Sequence, residues 1–239
     1  TIPGKEGKME AKTLDLLMDD FLHDDNAAHS VYPGMVYITM PTEYGTLYSA
    51  KDLDDIYQVC QKYHIVLYVD GARLGYGLTA PTSDITLPYL SRHCDVFYIG
   101  GTKEGALCGE AVVFTHNNAH EHFFNIVKQH GALMAKSRLI GCQFEALFTD
   151  DLYFTVSRHA NKMAERMKQL FKRKGYEFYI DSPTNQQFVI LPNEKVNRLA
   201  KEVIFTHWGK YDEHHTICRF VTSWATTEEE LAELERLLG

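Results

Sequence analysis

Apolar and polar positions alternate along the first half of the chain in the order expected for a β-α-β unit. Short apolar segments at 35–40 and 64–70 predict two strands. The segment between them opens with a helix-capping pair, Ser49 and Asp52, and continues with apolar residues at helical spacing. A helix between two strands is the connection that a parallel pair requires, so the pattern predicts parallel strands.

Two more apolar segments, at 95–101 and 110–115, extend the predicted sheet. The segment at 95–101 is apolar on both faces, which is typical of a central strand in a parallel sheet. Only about ten residues separate the two segments, which is too few for a helical crossover. We therefore predict that this last pair is antiparallel.

The pattern changes in the second half of the chain. A long amphipathic helix is predicted at 152–174, ended by Gly175, and β-rich segments and a final helix opened by Thr227 follow. This order of elements favours a separate α+β domain. We predict an α/β fold with a mainly parallel central sheet at 1–150 and a smaller α+β domain at 151–239.

Composition narrows the class of protein. Lys and Arg total 24 against 32 Asp and Glu, a net charge of −8 without a basic cluster, which argues against a nucleic-acid partner. No apolar window approaches the roughly 18 residues of a membrane span, and the first residues do not resemble a signal peptide. Five dispersed cysteines suggest a reducing compartment, so we predict a cytoplasmic protein. His116 and His120 lack a supporting acid pattern, and no metal is expected.

Two predicted parallel strands are followed by side chains that are capable of acid–base or covalent chemistry. Asp70 closes one strand, and Lys103 follows the next. Parallel strands present their carboxyl ends at one edge of the sheet, where open α/β sheets bind ligands. A carboxylate there needs a partner, either Arg73 or a protonated ring nitrogen, and a lysine in a dry cleft can form a Schiff base. Pyridoxal phosphate uses that set. Spacing alone leaves a cofactor site and an ordinary turn with a solvated lysine both open.

Longer motifs around these residues carry a resemblance to a known family. The stretches YVDGARLGYGL and FYIGGTKEGALCGEAVV resemble the low-specificity L-threonine aldolase and beta-eliminating lyase family of pyridoxal-phosphate enzymes. Further matching segments extend over nearly the whole chain: MVYITMPTEYGTLYS, GALMAKSRLIGCQFEALF and ICRFVTSWATT. The resemblance implies an aspartate-aminotransferase-like fold. It also implies retro-aldol cleavage of β-hydroxy-α-amino acids such as threonine and allo-threonine to glycine and an aldehyde.

Other functions remain open beside this one. A β-eliminating lyase or an aminotransferase would share the fold and the cofactor but yield a keto acid. A cofactor-free interaction subunit is the non-enzymatic alternative. The family also has an N-terminal segment that carries the phosphate site and a ring-stacking residue. Because this chain starts without it, we expect either a fragment of a longer protein or a shortened relative that cannot hold the cofactor alone.

The resemblance assigns roles at the cofactor and the substrate. Lys103 would be the Schiff-base lysine, with Thr102 beside it at the cofactor, and Asp70 would hold the pyridinium nitrogen. Arg73 would bind the substrate carboxylate or the cofactor edge. Arg219 matches the family arginine that grips the substrate carboxylate, for which a planar guanidinium is well suited.

Four further residues follow from the same resemblance. His29 would take the proton of the substrate hydroxyl, and Glu43 would orient His29 or the substrate. Lys128 and Lys136 match basic positions that reach the cofactor phosphate from a neighbouring subunit. The resemblance therefore implies a homo-oligomer, a dimer or homotetramer, with shared active sites.

Overall fold

Two four-stranded sheets, one mainly parallel and one antiparallel, organise the chain. The computed structural model describes residues 2–239. The first sheet has the order β1-β2-β3-β4. Its strands are β1 (Met35–Thr39), β2 (Val66–Asp70), β3 (Val96–Gly100) and β4 (Glu110–Phe114).

Strand direction in the first sheet agrees with the sequence-based expectation. The pairs β1–β2 and β2–β3 are parallel, and β3–β4 is antiparallel. The short connection between β3 and β4 allows only a reversal of direction. The predicted α/β fold, with a mainly parallel sheet and one antiparallel strand, is confirmed.

Short helices connect and cover the first sheet. The capping pair predicted from sequence is present at α2, where the Ser49 side chain accepts from the Asp52 amide at 3.1 Å and the Asp52 carboxylate accepts from the Ser49 amide at 2.9 Å. The helices of this part are α1 (Ala11–Leu22), α2 (Ala50–Lys62), α3 (Leu74–Leu78), α4 (Leu87–Leu90), α5 (Phe123–Gln129) and α6 (Arg138–Phe148).

The two faces of the first sheet differ in burial. Leu67 and Val69 of β2 are fully buried in the core that the helices cover. On the opposite face Met35, Tyr37 and Val112 remain more than half exposed. Side chains alternate between faces along each strand, so this face carries the residues that flank Asp70.

The second sheet is antiparallel and has the order β5-β6-β8-β7. A second apolar core, separate from the first, lies between this sheet and its helices. The strands are β5 (Phe178–Ile180), β6 (Gln186–Pro192), β7 (Thr206–Lys210) and β8 (His215–Val221); the helices are α7 (Leu152–Arg173), α8 (Asn193–Leu199) and α9 (Glu228–Leu238).

Helix α7 contributes to both cores. Tyr153, in its first turn, packs in the first core, while Met163 and Phe171 pack in the second. Helix α7 therefore packs into both cores and links the smaller antiparallel unit to the larger one. The boundary between 1–150 and 151–239 stays a prediction. Over residues 2–239, no helix has the length and apolar character needed to cross a membrane.

Candidate active site

Asp70 lies at the carboxyl end of β2, paired in register with Thr39 of β1. Its carboxylate is held from two sides, because the Tyr37 hydroxyl donates to Oδ2 and the Ala72 amide donates to Oδ1 at 2.9 Å. The bond to the amide two residues on is the local turn that aspartate favours after a strand. Asp70 is thus both a turn former and an oriented, partly exposed carboxylate.

Three tyrosines surround this carboxylate on the open face of the sheet. The rings of Tyr37 and Tyr68 stack with centroids 5.4 Å apart, and Tyr98 lies on the next strand. Burial, and then hydrogen bonding to Asp70, raises the pKa of both Tyr37 and Tyr98 well above its ordinary value. Both phenols are neutral near pH 7, and the Tyr37 hydroxyl donates to the acid.

The turn after β3 carries Lys103 to the same edge. Lys103 and Thr102 lie exposed on a short 3-10 helix, Thr102–Glu104. The Tyr76 hydroxyl donates to the Lys103 carbonyl, which fixes the backbone, and the exposed Lys103 amine forms no ion pair within residues 2–239.

Two glycines bring the two turns together. The Gly100 amide donates to the Gly71 carbonyl at 2.9 Å, which joins the end of β3 to the turn after Asp70. A Cβ on Gly71 would collide with the Tyr98 carbonyl, and one on Gly100 would collide with the Ala72 carbonyl. The absence of a side chain at both positions is what allows this close approach.

Glu104 was missed by sequence reasoning, since an acid beside a lysine usually indicates a solvated turn. Its side chain is fully buried, and neither carboxylate oxygen has a hydrogen-bond partner among residues 2–239. The facing Gly75 amide is engaged by the Tyr153 hydroxyl at 3.0 Å. Burial raises the pKa of Glu104 well above its ordinary value, against the opposing charges of Lys103 and Arg73. Burial therefore favours the protonated form of Glu104, which follows Lys103 on the same short helix.

The buried acid leads to a prediction on stability. Unfolding releases the Glu104 proton above its ordinary pKa of 4.5, so the free energy of unfolding falls as pH rises from there towards the raised pKa. One such group contributes at most about 1.4 kcal/mol per pH unit. Glu104→Gln should remove this decline, and urea unfolding from pH 5 to pH 8 measures it.

The matched control for this prediction is Glu121→Gln, which removes an exposed carboxylate. That variant should retain the wild-type dependence on pH. If Glu104→Gln instead declines in parallel with the wild type, the buried acid is ionised in the folded chain.

Two arginines from distant parts of the chain contact the same carboxylate, that of Glu43. Arg73 Nη1 lies 3.3 Å from Glu43 Oε1, and Arg219 Nη1 lies 3.8 Å from Glu43 Oε2. Arg73 follows β2, Arg219 lies in the middle of β8, and Glu43 lies in the loop after β1. Burial, and then the charge of Arg73, lowers the pKa of Arg219, so the two guanidinium groups repel each other. The arrangement is suited to binding carboxylates.

The remaining predicted residues lie apart from this cluster. His29 is exposed in the short 3-10 helix Ala27–His29, and no hydrogen bond links it to Glu43 within residues 2–239. Glu43 contacts the two arginines instead, so the hypothesis that it orients His29 gains no support. Lys128, in the last turn of α5, and Lys136, in the loop before α6, are exposed and form no ion pair in the described chain. Their roles stay predictions.

A comparison with protein-family models identifies the family of this chain. The model of the family described as beta-eliminating lyase matches residues 1–194. The chain belongs to the beta-eliminating lyase family. The family predicted from the residue motifs is thereby confirmed, and its members are pyridoxal-phosphate enzymes.

Individual relatives agree with the family. A low specificity L-threonine aldolase of Pseudomonas aeruginosa is 28% identical over 211 residues, which cover 87% of this chain and 60% of the relative. A threonine aldolase structure from Leishmania major is 35% identical with a TM-score of 0.93, covering all of this chain and 68% of the other. A Sphingomonas wittichii serine palmitoyltransferase, 12% identical with a TM-score of 0.64 and covering 96% and 58%, shares the fold. The chain thus spans about 60% of the length of its curated relatives.

The residues present fit the ring portion of pyridoxal phosphate. Asp70 is a partly exposed carboxylate whose two oxygens are oriented by Tyr37 and Ala72. Lys103 presents a free amine from the adjoining strand end. An acid for a ring nitrogen and an amine for a carbonyl carbon are the groups that this cofactor needs. Residues 2–239 contain no group of three or more His, Cys, Asp or Glu side chains that is arranged to hold a metal ion.

Proposed function

We propose that the protein containing this chain is a pyridoxal-phosphate-dependent lyase. It cleaves β-hydroxy-α-amino acids, threonine and allo-threonine among them, to glycine and an aldehyde. The observation that carries the proposal is the placement of Asp70 and Lys103 at adjoining strand ends of a beta-eliminating lyase. The names of the relatives from Pseudomonas aeruginosa and Leishmania major support the aldolase reaction.

Asp70 and Lys103 have different proposed roles at the cofactor. When bound, the cofactor supplies an electron sink for the bond that breaks at the substrate Cα. Lys103 would supply the amine that attaches it. Asp70 would hold a proton on the ring nitrogen, and the hydrogen bonds from Tyr37 and the Ala72 amide fix the orientation of its carboxylate. Thr102 would contact the cofactor beside Lys103.

The arginines and His29 act on the substrate. Arg219 and Arg73 offer planar donors to the α-carboxylate, from opposite sides of the cluster. His29, or a water that it positions, removes the β-hydroxyl proton, a step for which histidine is suited near neutral pH.

Assembly and location complete the proposal. Lys128 and Lys136 would reach the cofactor phosphate of a neighbouring subunit in a homo-oligomer, a dimer or tetramer with shared sites. The five cysteines form no disulfide in the described chain, which supports a cytoplasmic location.

Product analysis on the full-length protein tests the reaction. Incubation with threonine should yield glycine and acetaldehyde in equal amounts. A keto acid in their place would favour β-elimination, the second candidate, which the description of the family model supports. Absence of cofactor binding by the full-length protein would favour an interaction subunit.

The proposal predicts a specific loss at Arg219. Its guanidinium donates to Gln186 at 3.2 Å and to Thr206 at 3.3 Å, so its position is defined. Arg219→Lys retains the charge but loses the planar fork, and we expect KM to rise about tenfold with a smaller change in kcat. Steady-state kinetics of the full-length protein measure this. Arg236→Lys, on the exposed face of α9, is the control, and an unchanged KM in Arg219→Lys would contradict the role.

A further inference from the structure

Glu43 is the exposed member of an ion-pair cluster whose other members are largely buried. The Glu43 side chain is 56% exposed, whereas those of Arg73 and Arg219 are 11% and 18% exposed. Ion pairs usually place the long cationic side chain in solvent. Here the cations are enclosed by the fold, and the carboxylate reaches them from the solvent side.

The two cations need an anion. Arg73 and Arg219 are close enough for the charge of one to disfavour the charge of the other. Enclosed like charges are costly unless a counter-charge neutralises them. Glu43 supplies one negative charge for two positive ones, which leaves the cluster with a net charge of +1. The cluster can therefore accept another carboxylate in place of Glu43 and stay neutralised to the same degree.

Arg219 is held in place independently of Glu43. It donates to Gln186 and Thr206, and its guanidinium lies 5.1 Å from the centroid of the Trp208 ring. Losing the Glu43 contact would leave these three interactions intact. The binding surface on Arg219 is therefore preformed.

The backbone around Glu43 is also held. The Thr42 and Thr46 hydroxyls lie 2.6 Å apart, and the Ser182 hydroxyl donates to the Gly45 carbonyl at 3.1 Å. These bonds anchor the loop on both sides of Glu43. Rotation about the Glu43 side-chain bonds is enough to free the arginines, without movement of the loop.

We propose that Glu43 is an internal carboxylate that occupies the two-arginine site, and that a small-molecule monocarboxylate displaces it on binding. This inference rests on the proposed function, in which the monocarboxylate is the α-carboxylate of the amino acid. Glu43 then sets substrate affinity by competition, because the arginines are available only for the fraction of time that Glu43 is turned away.

Removal of the internal competitor should strengthen binding of a plain carboxylate. Propionate is the probe, since it has neither an amine nor a hydroxyl and cannot react. Calorimetric titration of the full-length protein should show about two- to fivefold tighter propionate binding in Glu43→Gln and Glu43→Ala, the range that a partly exposed ion pair can supply. KM for the amino acid should fall by a similar factor, with kcat changed less.

Glu177→Gln is the matched control, because it removes one exposed carboxylate that has no ion-pair partner in the described chain. It should bind propionate as the wild type does. Equal or weaker propionate binding in both Glu43 variants would overturn the inference and leave Glu43 as a structural partner of the arginines. Failure of the proposed function has a different signature, since tighter propionate binding would then persist in a protein that forms no glycine from threonine.

Discussion

Replacing Lys103 with alanine is expected to reduce turnover of the full-length protein at least about a thousandfold, the scale of loss when a covalent catalyst is removed. The reason is that Lys103 is the amine at the strand edge beside Asp70, on a turn whose backbone is fixed by Tyr76. The visible absorption of the attached cofactor should disappear together with the activity. Absorbance spectra and glycine release measure the two effects on the same sample.

The control for this experiment is Lys201→Ala, which removes an exposed lysine near the end of α8. It should retain both the absorption band and the activity. Because Lys103 is exposed, its truncation leaves the cores intact, and the unfolding midpoints of the two variants should agree when both are compared after removal of the cofactor. A Lys103→Ala variant with wild-type turnover would contradict the assignment.

Replacing Asp70 with asparagine should reduce kcat/KM about a hundred- to a thousandfold. Asparagine keeps one acceptor oxygen, which can still accept from the Ala72 amide, so the turn after β2 is retained, while its amide nitrogen replaces the oxygen that accepts from the Tyr37 hydroxyl. It cannot supply the negative charge that keeps a proton on the ring nitrogen. Removing the charged partner of a close pair costs about 3–4 kcal/mol, which corresponds to this loss in rate.

The Tyr37→Phe variant distinguishes the effect of the negative charge of Asp70 from the effect of the orientation of its carboxylate. This variant keeps the Asp70 carboxylate and the stacked ring but loses one donor to it. We expect a smaller loss of about tenfold, because a hydrogen bond to a charged group contributes about 1.5 kcal/mol at the low end of its range. Steady-state kinetics on both variants provide the comparison. Equal losses in Asp70→Asn and Tyr37→Phe would mean that the carboxylate acts only by holding the tyrosine.

The sequence pattern predicted those helices and strands that depend on interactions between residues close together in the chain. The apolar segments at 64–70 and 95–101 form strands because branched and aromatic residues pack on a pleated surface. The start of α2 could be predicted because its capping interaction, between Ser49 and Asp52, involves only four consecutive residues. The antiparallel final pair followed from the length of the connection alone.

Contacts between distant residues could not be predicted in this way. Glu43 contacts Arg219, which lies 176 positions further along the chain; Glu43 is in the loop after β1, and Arg219 is in β8 of the other sheet. Glu104 is buried close to Tyr76 and Tyr153, whereas its neighbours in sequence indicate a solvated loop. Such placements depend on how the two cores pack, which hydrophobic periodicity does not encode.

Borohydride reduction of the full-length protein, followed by peptide mass mapping, tests the central claim most directly. Reduction makes the link between cofactor and lysine permanent, so the modified residue can be read from the digest. The account predicts one phosphopyridoxyl group per chain, located on Lys103 in the sequence GGTKEG. Modification at Lys128, Lys136 or another lysine, or no modification after incubation with pyridoxal phosphate, would contradict it.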